Sequence, residues 1–201
     1  MEGQKQQRDG AMKPGQDIVV IGCAALYGTA QLARLREADL LSRFSRTFVT
    51  RMQICMEKNM APLERPDLEA LLGSACQTVT DWQPAGEGGI LAALWKLAAD
   101  HRAGFHIWIR EIPVVQESIE LCEFFELNPY RLHSLGCQLA VADNGLDVVR
   151  AAREKGLSAA VIGKVEPGIK RLLDTGEGVS FLERPRADEL ESCLKDFSAA
   201  Q

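Results

Sequence analysis

The chain has 201 residues, of which 46% are hydrophobic and 25% charged, the balance of a globular protein with a sizeable core. A formal net charge of −5 provides no basic surface for nucleic acid or an anionic membrane. No apolar run approaches the roughly 20 residues of a membrane-spanning helix, and the polar N-terminus lacks the apolar core of a secretion signal. We therefore expect a cytoplasmic protein that binds neither nucleic acid nor membrane, with residues 1–16 a flexible tail and residues 17–201 one domain.

Strands and helices alternate along the chain, as the hydrophobic periodicity and the turn residues indicate. Thr29 and Asp67 are predicted helix N-caps, and Gly104 is predicted to stop the central helix. The expected elements are a strand at 17–23, a helical section in two pieces at 30–59, a helix at 67–75, a strand at 77–82, a helix from a glycine turn to 101, a strand at 105–111, a helix at 114–125, a strand at 139–142, a helix at 145–155, a strand at 158–165, a hairpin of 169–173 and 179–182, and a helix at 187–197. This order predicts an α/β (α+β) protein with one mixed sheet and helices packed on it.

The six cysteines and three histidines show none of the spacings that metal sites or disulfide frameworks require. Most cysteines lie among apolar residues and are interpreted as small buried side chains in a reducing compartment. Cys76 has no basic neighbour in sequence to activate its thiol, so a buried structural role is favoured. His133 stays of interest because it precedes a Ser-Leu-Gly loop. We predict no metal site and no catalytic residue.

A glycine-rich turn connects a strand directly to an amphipathic helix between Val79 and Ala98. Gly86, Gly88 and Gly89 allow positive φ and a close approach of the backbone to a ligand. A turn that opens a helix presents unpaired N–H groups, which can hold an anion such as a phosphate. From the residues alone, a strand-to-helix connection that binds nothing is an equally good interpretation. Glu87 is explained as a favourable charge in the first helical turn, since a carboxylate repels phosphate.

Seven segments of the chain together resemble a known family. They are KPGQDIVV, GTAQLA, LLSRFSRTFV, VT…EGGILAALWKLA, IPVVQESIELCEFFELNPYRLHSLGCQLAV, AAVIGKV and FLERPRADEL. Between about Lys13 and Leu190 they resemble the C-terminal domain of the aminoimidazole ribonucleotide (AIR) synthase superfamily, and most of all its hydrogenase-maturation branch. The superfamily includes selenophosphate synthetase, thiamine-monophosphate kinase and the enzyme that dehydrates a carbamoyl group to a nitrile. The resemblance implies a mixed sheet flanked by helices with a partial ferredoxin-like topology.

The resemblance also implies how such a domain works. In the family, an N-terminal domain dimerises and holds ATP and magnesium, and the C-terminal domain closes over the nucleotide with its glycine-rich loop facing the phosphates. This chain is expected to begin where the second domain begins, so ATP and magnesium are expected only with a partner ATP-binding domain. The positions that the family would place near the nucleotide, as weak anion-binding candidates, are Gly86, Glu87, Gly88, Gly89, Ser134 and Gly136.

The glycine-rich loop departs from the family pattern V-T-A-M-H-D-A-T-E-G-G. Gln83, Pro84 and Gly86 stand where relatives have histidine, aspartate and threonine. The lost side chains could bind metal, accept a proton or hydrogen-bond a phosphate. Leu135 is a second departure, because relatives tend to have a small or acidic residue there. The loop thus retains its shape better than its chemistry.

Three hypotheses follow. The favoured one is a stand-alone, non-catalytic binding or assembly module, which forms a homodimer because an apolar surface is expected where the missing domain would dock. The alternative is the C-terminal half of a split ATP-dependent maturation enzyme whose ATP-binding domain is on another chain. The third is a small-ligand or anion-binding protein that uses the glycine turn without chemistry.

Overall fold

A computed structural model describes residues 12–58 and 65–199 of the chain. The strands in this part are β1 (Asp17–Ile21), β2 (Val79–Pro84), β3 (Gly104–Trp108), β4 (Gln138–Ala142), β5 (Ala159–Glu166), β6 (Arg171–Asp174) and β7 (Val179–Phe181). The helices are α1 (Leu26–Leu35), α2 (Glu37–Leu41), α3 (Arg46–Ile54), α4 (Arg65–Leu72), α5 (Gly89–His101), α6 (Gln116–Phe124), α7 (Gly145–Glu154) and α8 (Glu189–Ala199). Short 3-10 segments lie at Cys55–Lys58, Gly73–Thr78 and Ile109–Glu111.

The seven strands form one mixed sheet in the order β2-β4-β1-β5-β3-β6-β7. Neighbouring strands are antiparallel, except that β3 and β6 run parallel. The units β2–α5–β3 and β4–α7–β5 each join two strands of the same direction with other strands between them, the split connection of ferredoxin-like folds. The predicted mixed sheet with flanking helices is confirmed.

The sheet is buried on both faces, and β1 shows how the alternation of its side chains achieves this. Ile18 and Val20 point into the core that α5 covers, whereas Val19 and Ile21 point into the core that α7 and α4 cover. All four side chains are at least 98% buried. The four residues after Asp17 in this central strand are therefore all apolar, which made the strand recognisable as a continuous apolar run.

A third core lies among the helices, beside the sheet. Helices α1, α2 and α3, which follow β1, pack with α6 around Leu32, Leu40, Val49, Met52 and Leu121. The helical spacing of Leu41, Phe44, Phe48, Met52 and Cys55 predicts one apolar face. The first four of these side chains enter this layer, whereas Cys55 packs in a separate cluster. The section contains three α-helices rather than the predicted two pieces, because Arg36 and the residues 42–45 interrupt the helical backbone.

Thr29 is not the N-cap that the sequence predicted. Helix α1 begins at Leu26, after Ala25 with φ of 68°. The Ala25 amide donates to the Ser134 hydroxyl, a residue 109 positions away, so a distant contact fixes where the helix starts. Thr29 is buried in the second turn and its hydroxyl donates to Ser118 Oγ at 2.8 Å.

Gly104 does not end α5 either. The residue after the helix is Arg102, with φ of 49°, and its amide donates to the last turn. Gly104 is instead the first residue of β3, where a Cβ would lie 2.7 Å from the Lys170 carbonyl oxygen. The glycine is required by close packing of two backbone segments rather than by the helix end.

Three smaller predictions also need correction. Asp67 is the third residue of α4 rather than its cap, although an acidic residue in the first turn still favours the helix. Cys76 is half-buried against the α4–α7 core instead of fully buried, and Cys193 is also half-buried. The predicted strand at 105–111 ends at Trp108 and continues as a 3-10 turn.

The last residues of the predicted tail contact the sheet. The Gly15 backbone amide donates to the Val165 carbonyl, and the buried side-chain amide of Gln16 donates to the Thr80 hydroxyl and the Asp143 carboxylate. Residues 1–11 lie outside the described part, so the division at residue 16 stays a prediction. No helix in the described residues is both long and apolar enough to cross a membrane.

Candidate functional site

The glycine turn at the start of α5 is built on two glycines rather than three. Gly88 and Gly89 have φ of 74° and 68°, values that favour glycine. A Cβ on Gly89 would lie 2.5 Å from the Tyr130 carbonyl oxygen, so the turn packs directly on the backbone of the following loop. Gly86 has no positive φ, and a Cβ added to it would meet no atom within 4 Å. This geometry therefore does not require glycine at position 86.

The structure brings the two predicted loops together. The Ser134 amide donates to the Gly86 carbonyl at 3.1 Å. The Ser134 hydroxyl is fully buried, where it accepts from the Ala25 amide at 2.9 Å and donates to the Leu132 carbonyl at 2.8 Å. Gly136, with φ of 85°, completes the turn that follows. Ser134 thus holds the loops together with its hydroxyl already paired, and Gly136 has no side chain to offer an anion.

A carboxylate of the chain itself occupies the anion position of the turn. The Gly88 amide donates to Asp188 Oδ2 at 2.6 Å. The other oxygen, Oδ1, accepts from the Leu190 amide at 2.7 Å and so caps α8. Asp188 is 5% exposed, and His133 Nδ1 lies 3.8 Å from Oδ2 with its ring against Tyr27. The amide that a phosphate would need is therefore already paired with a buried negative charge.

Asp188 is the site residue that the sequence reasoning missed. The sequence predicted Asp188 inside a helix at 187–197, whereas α8 begins at Glu189, so that Asp188 is its N-cap. Nothing in the local pattern places it beside Gly88, a hundred residues earlier. The contact depends on how α8 returns to the start of α5, and that is a tertiary feature.

The replaced family positions lie around the same turn. Gln83 is 5% exposed, and its amide nitrogen donates to the Ala93 carbonyl within α5 at 3.2 Å. Pro84 is exposed and ends β2, while Glu87 is exposed on the turn. Gln83 has a structural role here, which accounts for one departure from the family pattern.

Two further buried polar features lie close by in the sheet. Asp81 of β2 and His101 of α5 form a buried pair, with Asp81 Oδ2 at 2.5 Å from His101 Nε2. Gln138, at the start of β4, pairs with Pro84 and is 1% exposed, and both its amide atoms lack a hydrogen-bond partner among the described residues. Neither feature had a signal in the local sequence pattern. The Asp81–His101 pair ties the end of α5 to the sheet, a structural use of two titratable groups.

The residues present do not fit a nucleotide phosphate with magnesium. No group of three or more histidine, cysteine, aspartate or glutamate side chains converges within the described residues. The Asp188 carboxylate repels a phosphate at the position where the turn would bind one.

Burial raises the pKa of Cys55 and Cys122 to about 12 and also raises the pKa of Cys23 and Cys137. These thiols stay protonated near neutral pH and are poor nucleophiles.

Comparisons with known proteins agree with the fold. The family model for AIR synthase related protein, C-terminal domain, matches residues 13–173. The carbamoyl dehydratase HypE of Rhizobium leguminosarum bv. viciae is 28% identical over 162 residues, which are 79% of this chain and 43% of that protein. A crystal structure of E. coli HypE superimposes with a TM-score of 0.68 at 20% identity, covering 90% of this chain and 53% of that one. A crystal structure of a HypE–HypF complex gives a TM-score of 0.63 at 18% identity, covering 87% and 54%.

The chain therefore spans about half the length of the relatives that it matches. The structural similarities establish the fold, and the family model covers most of the chain. This chain belongs to the AIR synthase related proteins, as a C-terminal domain related to the hydrogenase-maturation branch of that superfamily.

Proposed function

We propose that this chain is a stand-alone, non-catalytic binding or assembly module. The observation that carries the proposal is the hydrogen bond from the Gly88 amide to the buried Asp188 carboxylate. A helix N-terminus that holds an internal anion gains no electrostatic benefit from a phosphate. The module keeps the family's loop shape and uses it to fix its own C-terminal helix α8.

The lost side chains support the same proposal. Gln83 is engaged with the α5 backbone, and Pro84 has no hydrogen-bonding side chain. Neither residue can replace the acid–base or ligand chemistry of the histidine and aspartate in relatives. A binding role needs only the folded surface.

The test is the response of the turn to ATP and phosphate. We expect isothermal titration calorimetry to show no ATP binding tighter than about 1 mM in the presence of magnesium, and no magnesium-dependent phosphate release. Robust ATP hydrolysis by the purified chain would overturn the proposal.

A matched pair of variants locates the cause. Asp188→Asn removes the charge beside Gly88, whereas Glu87→Gln removes an exposed charge on the same turn. In ¹H–¹⁵N spectra, inorganic phosphate is expected to shift the Gly88 amide resonance in Asp188→Asn but not in Glu87→Gln or the unchanged protein. An equal phosphate response in all three proteins would show that Asp188 does not occupy an anion site.

We also propose that the module self-associates as a homodimer. The helical layer exposes three large apolar side chains, Leu35 on α1, Ile54 on α3 and Ile119 on α6. Exposed apolar surface of this kind is commonly covered by a second subunit. Light scattering is expected to give twice the chain mass of 22.1 kDa. A monomeric mass would refute this part alone.

A second candidate is the C-terminal half of a split ATP-dependent enzyme. The retained shape of the turn favours it, together with the exposed Leu135 on the adjoining loop. A protein partner is also consistent with the HypE–HypF complex among the matched structures. Co-expression with a separate ATP-binding domain of this superfamily tests it. Co-purification and ATP hydrolysis by the pair would favour it, and failure of the two chains to co-purify would count against it.

A further inference from the structure

A cavity lies along the C-terminal half of α5, away from the glycine turn. Its volume is about 690 Å³, and it is bounded by α5, by the segment before β6 and by the end of β7. Trp95 and Leu182 form its inner wall, while Ile169 and Phe181 at its rim are 73% and 65% exposed. Ligand pockets commonly have this size and this kind of apolar lining. We refer to it below as the α5–hairpin cleft.

Three cationic side chains, Arg102, Lys170 and Arg171, line the same cleft, and no acidic side chain of the described residues does. The guanidinium carbon of Arg171 lies 4.0 Å from the centroid of the Trp95 ring. The Arg171 Nε is buried without a hydrogen-bond partner among the described residues, and burial lowers the pKa of this arginine. Among the described residues, neither Arg102 nor Lys170 forms an ion pair with a carboxylate. Three such cations in a chain of net charge −5 make a local positive field at an apolar wall.

We propose that the α5–hairpin cleft binds an amphipathic anion, with an aryl body and a phosphate or carboxylate group. The aryl body packs against Trp95 and Phe181, which offer large aromatic surfaces. The anionic group is held by the guanidinium of Arg171 with Lys170 and Arg102 at the rim, since charged hydrogen bonds to a planar guanidinium are strong. This site is separate from the glycine turn and goes beyond the proposed function.

The first experiment uses three matched probes: 2-naphthyl phosphate, 2-naphthoate and the uncharged 2-naphthol. In ¹H–¹⁵N spectra, each anionic probe is expected to shift the indole resonance of Trp95, assigned with Trp95→Phe, and to leave that of Trp82 in place. A tighter Kd for the phosphate or for the carboxylate identifies which anion the cleft prefers. The proposal would be overturned if 2-naphthol bound as tightly as both anions. It would also be overturned if no probe shifted the Trp95 resonance, which is the result expected if a second copy of the chain covers the cleft.

The second experiment removes single charges. Arg102→Gln and Lys170→Gln change exposed side chains, so folding is expected to be retained. Each variant should raise the Kd of the preferred anionic probe about three- to tenfold. Lys96→Gln is the control, because Lys96 is exposed on α5 but does not line the cleft. An equal loss in Lys96→Gln would show that only the general charge matters and would overturn the site.

Discussion

Substitution of Gly89 by alanine is predicted to destabilise the domain strongly. The residue has φ of 68°, which costs an L-amino acid about 1–2 kcal/mol. The added Cβ would also lie 2.5 Å from the Tyr130 carbonyl oxygen and 2.8 Å from two backbone atoms of Arg131 and Leu132. Because all three obstacles are backbone atoms, the segment must shift, at a cost of about 1–3 kcal/mol. The expected loss in free energy of unfolding is about 2–5 kcal/mol, a large part of a typical domain's stability.

The measurement is urea unfolding followed by circular dichroism, with the loss taken from the midpoint at an unchanged m-value. Gly86→Ala is the matched control on the same turn, since nothing lies within 4 Å of its Cβ position and its φ is not positive. It is expected to stay within about 0.5 kcal/mol of the unchanged protein. A Gly89→Ala loss below about 1 kcal/mol, or equal losses in the two variants, would refute the packing of this turn on the Tyr130–Leu132 backbone.

Three further predictions follow from named contacts. Asp188→Ala removes the partner of the Gly88 amide and the cap of α8, so it should cost about 1.5–3 kcal/mol in urea unfolding and speed hydrogen exchange at Gly88; unchanged exchange would contradict the contact. Burial opposes ionisation of Glu117, but hydrogen bonds from its own amide, Arg51 and Lys58 outweigh this and lower its pKa below the usual 4.5. The contribution of Glu117 to folding stability is therefore complete above its unfolded-state pKa and is lost as pH falls through its folded-state pKa. The free energy of unfolding, measured from about pH 7 to about pH 3, should fall less steeply in Glu117→Gln than in the unchanged protein. Parallel pH dependences in the two proteins would refute this. Ser45→Ala removes the hydroxyl that accepts from the Phe48 amide at 3.3 Å and should lower thermal stability by about 1 kcal/mol, whereas exposed Thr47→Ala should have little effect.

Much of the fold could be predicted because burial leaves a periodic trace in the sequence. The apolar residues that follow Asp17 indicated the central strand, and the helical spacing of apolar residues from Leu41 to Met52 indicated the face of the helical layer. The resemblance to a known family added the arrangement of the sheet. The proximity of Gly86 and Ser134 was expected from that resemblance, and the Ser134 amide does donate to Gly86.

Features that depend on residues distant in sequence were decided only by the tertiary structure. Thr29 is a residue type that often caps helices, yet the hydrogen bond from the Ala25 amide to Ser134 sets the start of α1 four residues earlier. The sequence predicted that Gly104 ends a helix, yet glycine is needed there because the Lys170 backbone lies too close for a Cβ atom.

The glycine turn shows the same division at the site. Its sequence determined the backbone shape, because Gly88 and Gly89 permit the two positive φ angles ahead of α5. The hydrogen-bond partner of the turn was decided by the tertiary fold, because the chain a hundred residues later places the Asp188 carboxylate beside the Gly88 amide. Local residue types fix which conformations are accessible, but the partner of a buried polar group depends on three-dimensional packing that no local pattern encodes.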